Sequence, residues 1–335
     1  MKIIFAGVAD FSVAVLDCLL HSDHKVVCLV TGPDKPVKRG KKITASACKK
    51  LALAHNIAII QTSNINSSKH LNQLKKLNAD LFLVSAFGQM IGDDLIRLTR
   101  FGALNTHASL LPKYRGASPI QSVILAGEKQ TGISMMKITK QMDAGAVCTV
   151  KKVDISDDDT YGSLNEKLKQ VAAYASLESL EKIENGSAVF VEQNQSQATY
   201  CKKIKKTDAR LDFKEGAMNL FRKIKAFYPS PIAYCNLHLA DNSTILRIHQ
   251  AQMVKKAELE SIFDCQKLEK LKCGELIFTK NKLFVCTSST QNTLSFLQII
   301  KIQLPNKSPI PAHNFVGSTL NQFKKNNPKS SIFLS

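Results

Sequence analysis

The chain has 335 residues, 44% hydrophobic and 22% charged, with a formal net charge of +19. That length suits two domains, and the apolar content permits a packed core and excludes wholesale disorder. No apolar run reaches the ~18 residues of a membrane span, and the start KIIFAGVA is too short and too soon interrupted by Asp10 for a signal peptide, so a soluble cytoplasmic protein is expected.

Strand-like runs appear at 2–7 (KIIFAG), 25–31 (KVVCLVT), 57–61 (IAIIQ), 80–88 (DLFLVSAFG), 102–107 and 131–138. Helical patterns lie between them at 11–21, 43–55, 66–77 and 117–126, and a longer one follows over 158–183. Continuous apolar strands separated by helices predict an α/β domain, a mostly parallel Rossmann-like sheet with helices on both faces. Ligands of such a sheet sit beyond the carboxyl ends of the strands, where strand order reverses. This domain is assigned residues 1–189. The chain turns polar over 185–198 (NGSAVFVEQNQSQA), and a linker is placed at 190–205. Short alternating runs then follow at 232–238, 244–252, 275–278, 282–287 and 294–302, with one amphipathic helix at 215–226. They predict a small OB-like β-barrel over 206–320. Residues 321–335 are set apart as a tail, ordered or frayed.

The first strand runs into GVADF, which carries one glycine where a dinucleotide fingerprint needs three, and no Walker loop exists. Nine cysteines form an odd set without CxxC, so neither a disulfide framework nor a zinc site is expected. Those in VVCLV, AVCTV and LFVCT read as small buried hydrophobes. Charge is uneven. Residues 1–200 hold 24 Lys and Arg against 18 Asp and Glu, a net +6, and residues 201–335 hold 22 against 9, a net +13. A surface of the second kind attracts polyanions, a nucleic acid or an acidic membrane. The stretch GPDKPVKRGKK (32–42) adds Lys35, Lys38, Arg39, Lys41 and Lys42 between prolines and glycines. Its punctuation predicts an irregular, mobile loop, either merely solvated or a basic finger that docks on phosphates.

The stretch 101–147 carries the candidate chemistry. Asn105 and His107 end a predicted strand one residue apart, so alternation places both on one face. A carboxamide and an imidazole side by side polarise a carbonyl and bind the oxyanion formed when a nucleophile attacks it. Asp143 follows in QMDAGAV, on a glycine-flanked loop, where it can orient His107 and take up a proton.

The strings NTHASLLPKYRGASPI and TGISMMKITKQMDAGAV closely resemble the signature of the folate-dependent formyltransferases. The start KIIFAGVADFSVAVLDCLL, the basic loop, DLFLVSAFG, ATYCKKIKKTDARLDF and KAFYPSPIAY extend the likeness over most of residues 1–240, closest to the members that formylate methionyl-tRNA. The resemblance implies transfer of a formyl group from 10-formyltetrahydrofolate to the α-amine of methionine on initiator tRNA, by a monomer that needs no metal. Asn105, His107 and Asp143 fall on the family's catalytic trio. Ser109, Leu110, Leu111 and Pro112, with Phe87 and Gly88, fall on the folate pocket. Lys35, Lys38, Arg39, Lys41 and Lys42 fall on the loop that reaches the tRNA. Val8 and Ala9 stand where the family usually carries Thr-Pro, and Ala146 stands where an acidic residue commonly follows the loop glycine. A nucleotide-sugar formyltransferase, a non-enzymatic RNA-binding protein on the same scaffold and a formyl-tetrahydrofolate hydrolase are the alternatives; the basic loop favours tRNA over a sugar nucleotide.

Overall fold

The structure is a computed structural model that describes residues 1–37, 42–240, 242–288, 294–328 and 330–335. It divides into two compact units. One comprises Met1–Val123, Glu128–Asp157 and Ser163–Lys203, the other Ile124–Gly127, Asp158–Gly162 and Ile204–Ser335.

The first unit is built around the strands β1 (Lys2–Gly7), β2 (Lys25–Thr31), β3 (Lys35–Val37), β4 (Lys42–Thr44), β5 (Ile59–Gln61), β6 (Leu81–Ser85), β7 (Ala103–His107), β8 (Arg115–Gly116), β9 (Gln130–Lys137), β10 (Val147–Asp154) and β11 (Tyr200–Cys201). Between them run α1 (Phe11–Leu20), α2 (Ala47–Ala54), α3 (Ser68–Lys75), α4 (Asp93–Ile96) and, for most of their length, α5 (Pro119–Ala126) and α6 (Tyr161–Glu184). Seven strands form one sheet in the order β10-β9-β7-β6-β1-β2-β5. The pairs from β5 to β7 are parallel, and β9 and β10 add antiparallel to the far side. Ile3, Ile4, Phe5 and Ala6 are fully buried along β1, as a central strand covered on both faces requires. Strand order reverses between β1 and β6, and the carboxyl ends of β1, β6 and β7 lie side by side through Gly7↔Ser85 and Ser85↔Thr106. The predicted parallel, Rossmann-like sheet is therefore present.

Residues 35–37 and 42–44 depart from the expected irregular loop. β3 and β4 pair antiparallel, with Lys35↔Thr44, Pro36↔Ile43 and Val37↔Lys42 in register. The β-branched residues Val37, Ile43 and Thr44 favour extended backbone, and they outweigh Pro36, whose fixed φ a two-stranded ribbon tolerates.

The second unit contains α7 (Ala217–Ala226), β12 (Ala233–Leu239), β13 (Asn242–Met253), α8 (Lys256–Glu260), α9 (Cys265–Glu269), β14 (Leu276–Phe278), β15 (Leu283–Thr287), β16 (Ser295–Gln303), β17 (Ile310–Pro311), α10 (Ala312–Phe315), α11 (Asn321–Asn326) and β18 (Ile332–Leu334). Its antiparallel strands follow the order β14-β15-β16-β13-β12-β18, with β17 on β16. The bridge Glu275↔Phe333 and the hydrogen bond from Leu334 N to Gly274 O, 2.8 Å, join the two ends of that order, so the sheet closes into a small barrel. Leu220, Ile224, Cys235, Leu246, Val285, Leu297 and Phe315 fill its core. Within the stretch set apart as a tail, β18 pairs with β12 through Leu237↔Leu334 and His238↔Phe333.

All nine cysteines are free thiols, and burial pushes those of Cys28 and Cys48 up to about 11 and about 12. Among the described residues no helix is long and apolar enough to cross a membrane.

Candidate active site

β7 carries Asn105 and His107 to the carboxyl edge of the sheet. Their alternation places both on one face, and the antiparallel neighbour β9 sets them opposite Met136 and Ser134. His107 is 5% exposed. Its Nε2 lies 3.0 Å from the carbonyl oxygen of Tyr114, which only accepts, so Nε2 carries the proton. Nδ1 faces Asp143, 3.7 Å from Oδ2. The Asn105 side chain is half-buried, and its carboxamide makes no hydrogen bond among the described residues. An amide with both donors unengaged, one pleat from an imidazole N–H, is a ready pair of donors for an oxyanion.

Tyr114 aims its carbonyl at His107 because its backbone is left-handed, φ 60°. Both ends of the residue are tied to hold that unusual geometry. Its amide donates to Thr199 Oγ1, 2.9 Å, and its phenol donates to Glu128 Oε1, 2.7 Å. Burial, and then the Glu128 carboxylate, push that phenol well above its ordinary value.

Asp143 sits between β9 and β10, also left-handed at φ 49°, a conformation an aspartate tolerates better than most side chains. The loop folds back on its own strand, with Lys137 N donating to Ala146 O at 2.9 Å. Gly145 makes this possible: a Cβ there would stand 1.9 Å from the Lys137 carbonyl oxygen. The turn delivers the Asp143 carboxylate to the amide of Gly116, whose N–H donates to Oδ2 at 2.8 Å. Gly116 in turn lies in β8, which pairs with β11 through Arg115↔Tyr200 and Gly116↔Cys201. The loop also borders a cleft of about 520 Å³ whose lining includes Lys137, Phe190, Glu192 and Gln195 but neither Asn105 nor His107.

The other sequence candidates divide. The Ser109 hydroxyl is fully buried and donates to the Lys113 carbonyl at 2.7 Å, while Ser134 Oγ donates to the Ser109 carbonyl and accepts from Leu111 N. Ser109 thus shapes the turn, and Leu110, Leu111 and Pro112 offer half-buried apolar surface beside His107. Phe87 buries its ring in the core with Val84, Ile91 and Leu95. Gly88 is exposed at φ 79°, and a Cβ there would meet nothing within 4 Å, which leaves open space over the backbone next to the strand ends. Lys35 and Lys42 lie on the two strands of the basic hairpin, and Lys38, Arg39 and Lys41 lie outside the described residues. Gln193, Gln195, Thr199 and Tyr200 were not among the sequence candidates. They belong to the stretch whose polar composition reads as linker, and the run QNQSQ carries no motif that marks it as part of a site. Among the described residues no group of three His, Cys, Asp or Glu side chains could hold a metal.

A Rossmann-like sheet with an unengaged carboxamide and an imidazole N–H at its carboxyl edge, followed by an antiparallel barrel in a basic stretch, fits a two-unit group-transfer protein. The chain belongs to the formyl transferase family: residues 1–180 match the family "Formyl transferase" and residues 203–319 match "Formyl transferase, C-terminal domain". It is 35% identical over 321 residues to a methionyl-tRNA formyltransferase of Methylococcus capsulatus, covering 95% of this chain and 97% of that one. It is 36% identical over 324 residues to that of Buchnera aphidicola, covering 96% and 97%. In fold it resembles HypX from Aquifex aeolicus, solved in complex with tetrahydrofolic acid, at a TM-score of 0.59 and 16% identity; the alignment covers 97% of this chain and 48% of that one.

Proposed function

We propose that the protein transfers a formyl group from 10-formyltetrahydrofolate to the α-amino group of methionine esterified to initiator tRNA, the step that prepares the tRNA for translation initiation. The observation that carries the reading is the likeness to methionyl-tRNA formyltransferases, which spans both units and nearly the whole of each chain. The open carboxamide of Asn105 beside the Nε2–H of His107 supports it chemically.

The attacking amine is neutral, and its bond to the formyl carbon puts negative charge on the formyl oxygen. Asn105 donates one hydrogen bond to that oxygen, and His107 donates a second from Nε2 by exchanging it for the Tyr114 carbonyl. Asp143, held by the Gly116 amide, stands with Oδ2 3.7 Å from Nδ1 of that imidazole. It also takes the proton from the amine and passes it toward N10, so that the new C–N bond forms as the C–N10 bond breaks and tetrahydrofolate leaves with the proton on N10. Leu110, Leu111, Pro112 and the open backbone at Gly88 would receive the folate. The observation that supports a fit is the space over Gly88 together with the half-buried apolar run 110–112. The basic residues of 32–42 and the +13 carried by residues 201–335 engage the tRNA backbone. An acceptor comparison tests the reading. With formyl-tetrahydrofolate present, methionine-charged initiator tRNA becomes formylated and an amino-sugar nucleotide does not; the reverse preference overturns it.

A further inference from the structure

Asp143 depends on two side chains that no motif marks. Gln193 is 8% exposed, and all the hydrogen-bonding capacity of its carboxamide is used. Nε2 donates to the carbonyl of Asp143 at 2.9 Å and to that of Gly145 at 2.7 Å. Oε1 accepts from Arg115 Nε at 3.1 Å and from Arg115 Nη2 at 2.7 Å. The carboxamide can sit only this way round, because a guanidinium only donates and a carbonyl only accepts. Arg115 itself is 1% exposed and forms no ion pair among the described residues. Its Nη1 goes to Gln195 Oε1 at 2.9 Å and to the Tyr200 hydroxyl at 3.3 Å. A buried guanidinium given only neutral acceptors is a costly choice for a fold that needs mere filling. Here the same residue begins β8, so the amide that follows it, Gly116 N–H, is the one that receives the Asp143 carboxylate.

We propose that Gln193, held by Arg115, is a positioning residue for the transfer reaction: it clamps the backbone of Asp143 and Gly145 while the chain after Arg115 clamps the carboxylate, fixing Asp143 against His107 from both ends. This rests on the reading of Asp143 above. It also explains why a glutamine is placed here. A glutamate would pair with Arg115 as an ion pair, yet its second oxygen would face two carbonyl oxygens and repel the loop.

Gln193→Glu therefore separates positioning from packing, since it retains volume and the arginine partner. Hydrogen–deuterium exchange is expected to rise about tenfold at residues 141–146 and at the Gly116 amide, with the rest of the first unit unchanged. On charged tRNA, kcat is expected to fall at least about tenfold, with KM for either substrate within about twofold. In an Asp143→Asn background the same substitution is expected to cost less than about twofold, because a residue acting through the carboxylate has nothing left to position. If Gln193→Glu does not fold, Gln193→Met, which removes both the donors to the loop and the acceptor of Arg115 without adding charge, gives the same readouts. Unchanged exchange at 141–146, or an undiminished loss in the Asp143→Asn background, overturns the proposal. Absence of formyl transfer by the wild-type chain would defeat the functional reading instead, and the exchange comparison would still decide the role of Gln193.

Discussion

Asp143→Asn is the most informative single substitution, because the structure says what it leaves intact. Asparagine accepts the left-handed φ of 49° as readily as aspartate, and its Oδ1 can still accept from Gly116 N. What disappears is the charge. The Gly116 hydrogen bond changes from charge-assisted, about 1.5–3 kcal/mol, to neutral, about 0.5–1.5 kcal/mol, a loss of about 1 kcal/mol. For a unit of this size that lowers Tm by about 2–4 °C. The catalytic effect is of another order. Removing the group that receives the amine proton is expected to lower kcat by about 10²–10⁴, or about 3–5 kcal/mol of transition-state stabilisation. Initial-rate formylation of charged initiator tRNA, run beside differential scanning fluorimetry and a folate KM, separates the two effects. The expected result is a collapse of kcat with KM and Tm nearly preserved. A kcat within a few-fold of wild type would refute the role given to Asp143, and a rate loss matched by unfolding would refute the claim that Asn is tolerated there.

Gly116→Ala is expected to abolish activity and lower Tm, since its Cβ at φ 114° would stand 2.2 Å from the Cys201 carbonyl oxygen and force β8 off β11; a folded, active variant would contradict this. Burial holds the imidazoles of His24 and His249 below their ordinary value of 6.5, aided at His24 by the N-terminal ammonium. The unfolded chain then binds these protons more readily, so the contribution is whole above 6.5 and is lost as pH falls below it. Tm should therefore drop less steeply between about pH 7 and about pH 5 in the His24→Gln, His249→Gln double variant than in wild type, and equal slopes would contradict the assignment. Arg39→Ala is expected to raise KM for charged tRNA and leave folate binding unchanged, because its planar fork suits phosphate and base edges in a way lysine does not; unchanged tRNA kinetics would leave that stretch merely solvated. Rising salt should weaken tRNA binding steeply and folate binding little, and equal responses would remove the basic barrel as the RNA surface.

The sequence made the frame legible because each central strand is a continuous apolar run. Ile3–Ala6 and Leu81–Ser85 have no exposed face, so their pattern could only mean a covered parallel sheet. The barrel strands were legible for the complementary reason, alternation, as in the burial of Ala233, Cys235 and Leu237 along β12. His107 and Asn105 were readable together because period two fixes their common face without any knowledge of tertiary structure. The supports of the site were not readable. Gln193 is 50 residues from Asp143 and Arg115 is 78 from Gln193, and a hydrogen bond across such separations leaves no periodic trace. Composition actively misleads there, since polar residues that satisfy a buried guanidinium look like polar residues that face water. The β3–β4 hairpin was hidden for a local reason: Pro33, Pro36 and two flanking glycines dominate the turn signal, while Ile43 and Thr44 were absorbed into the helix pattern that follows.

The purified chain, given formyl-tetrahydrofolate labelled at the formyl carbon and initiator tRNA charged with methionine, should place one label on each methionine α-amine. His107→Asn should suppress that transfer by at least about a hundredfold while still binding both substrates. Label that stays on folate, or that is released as free formate at the same rate with and without charged tRNA, would contradict the assignment.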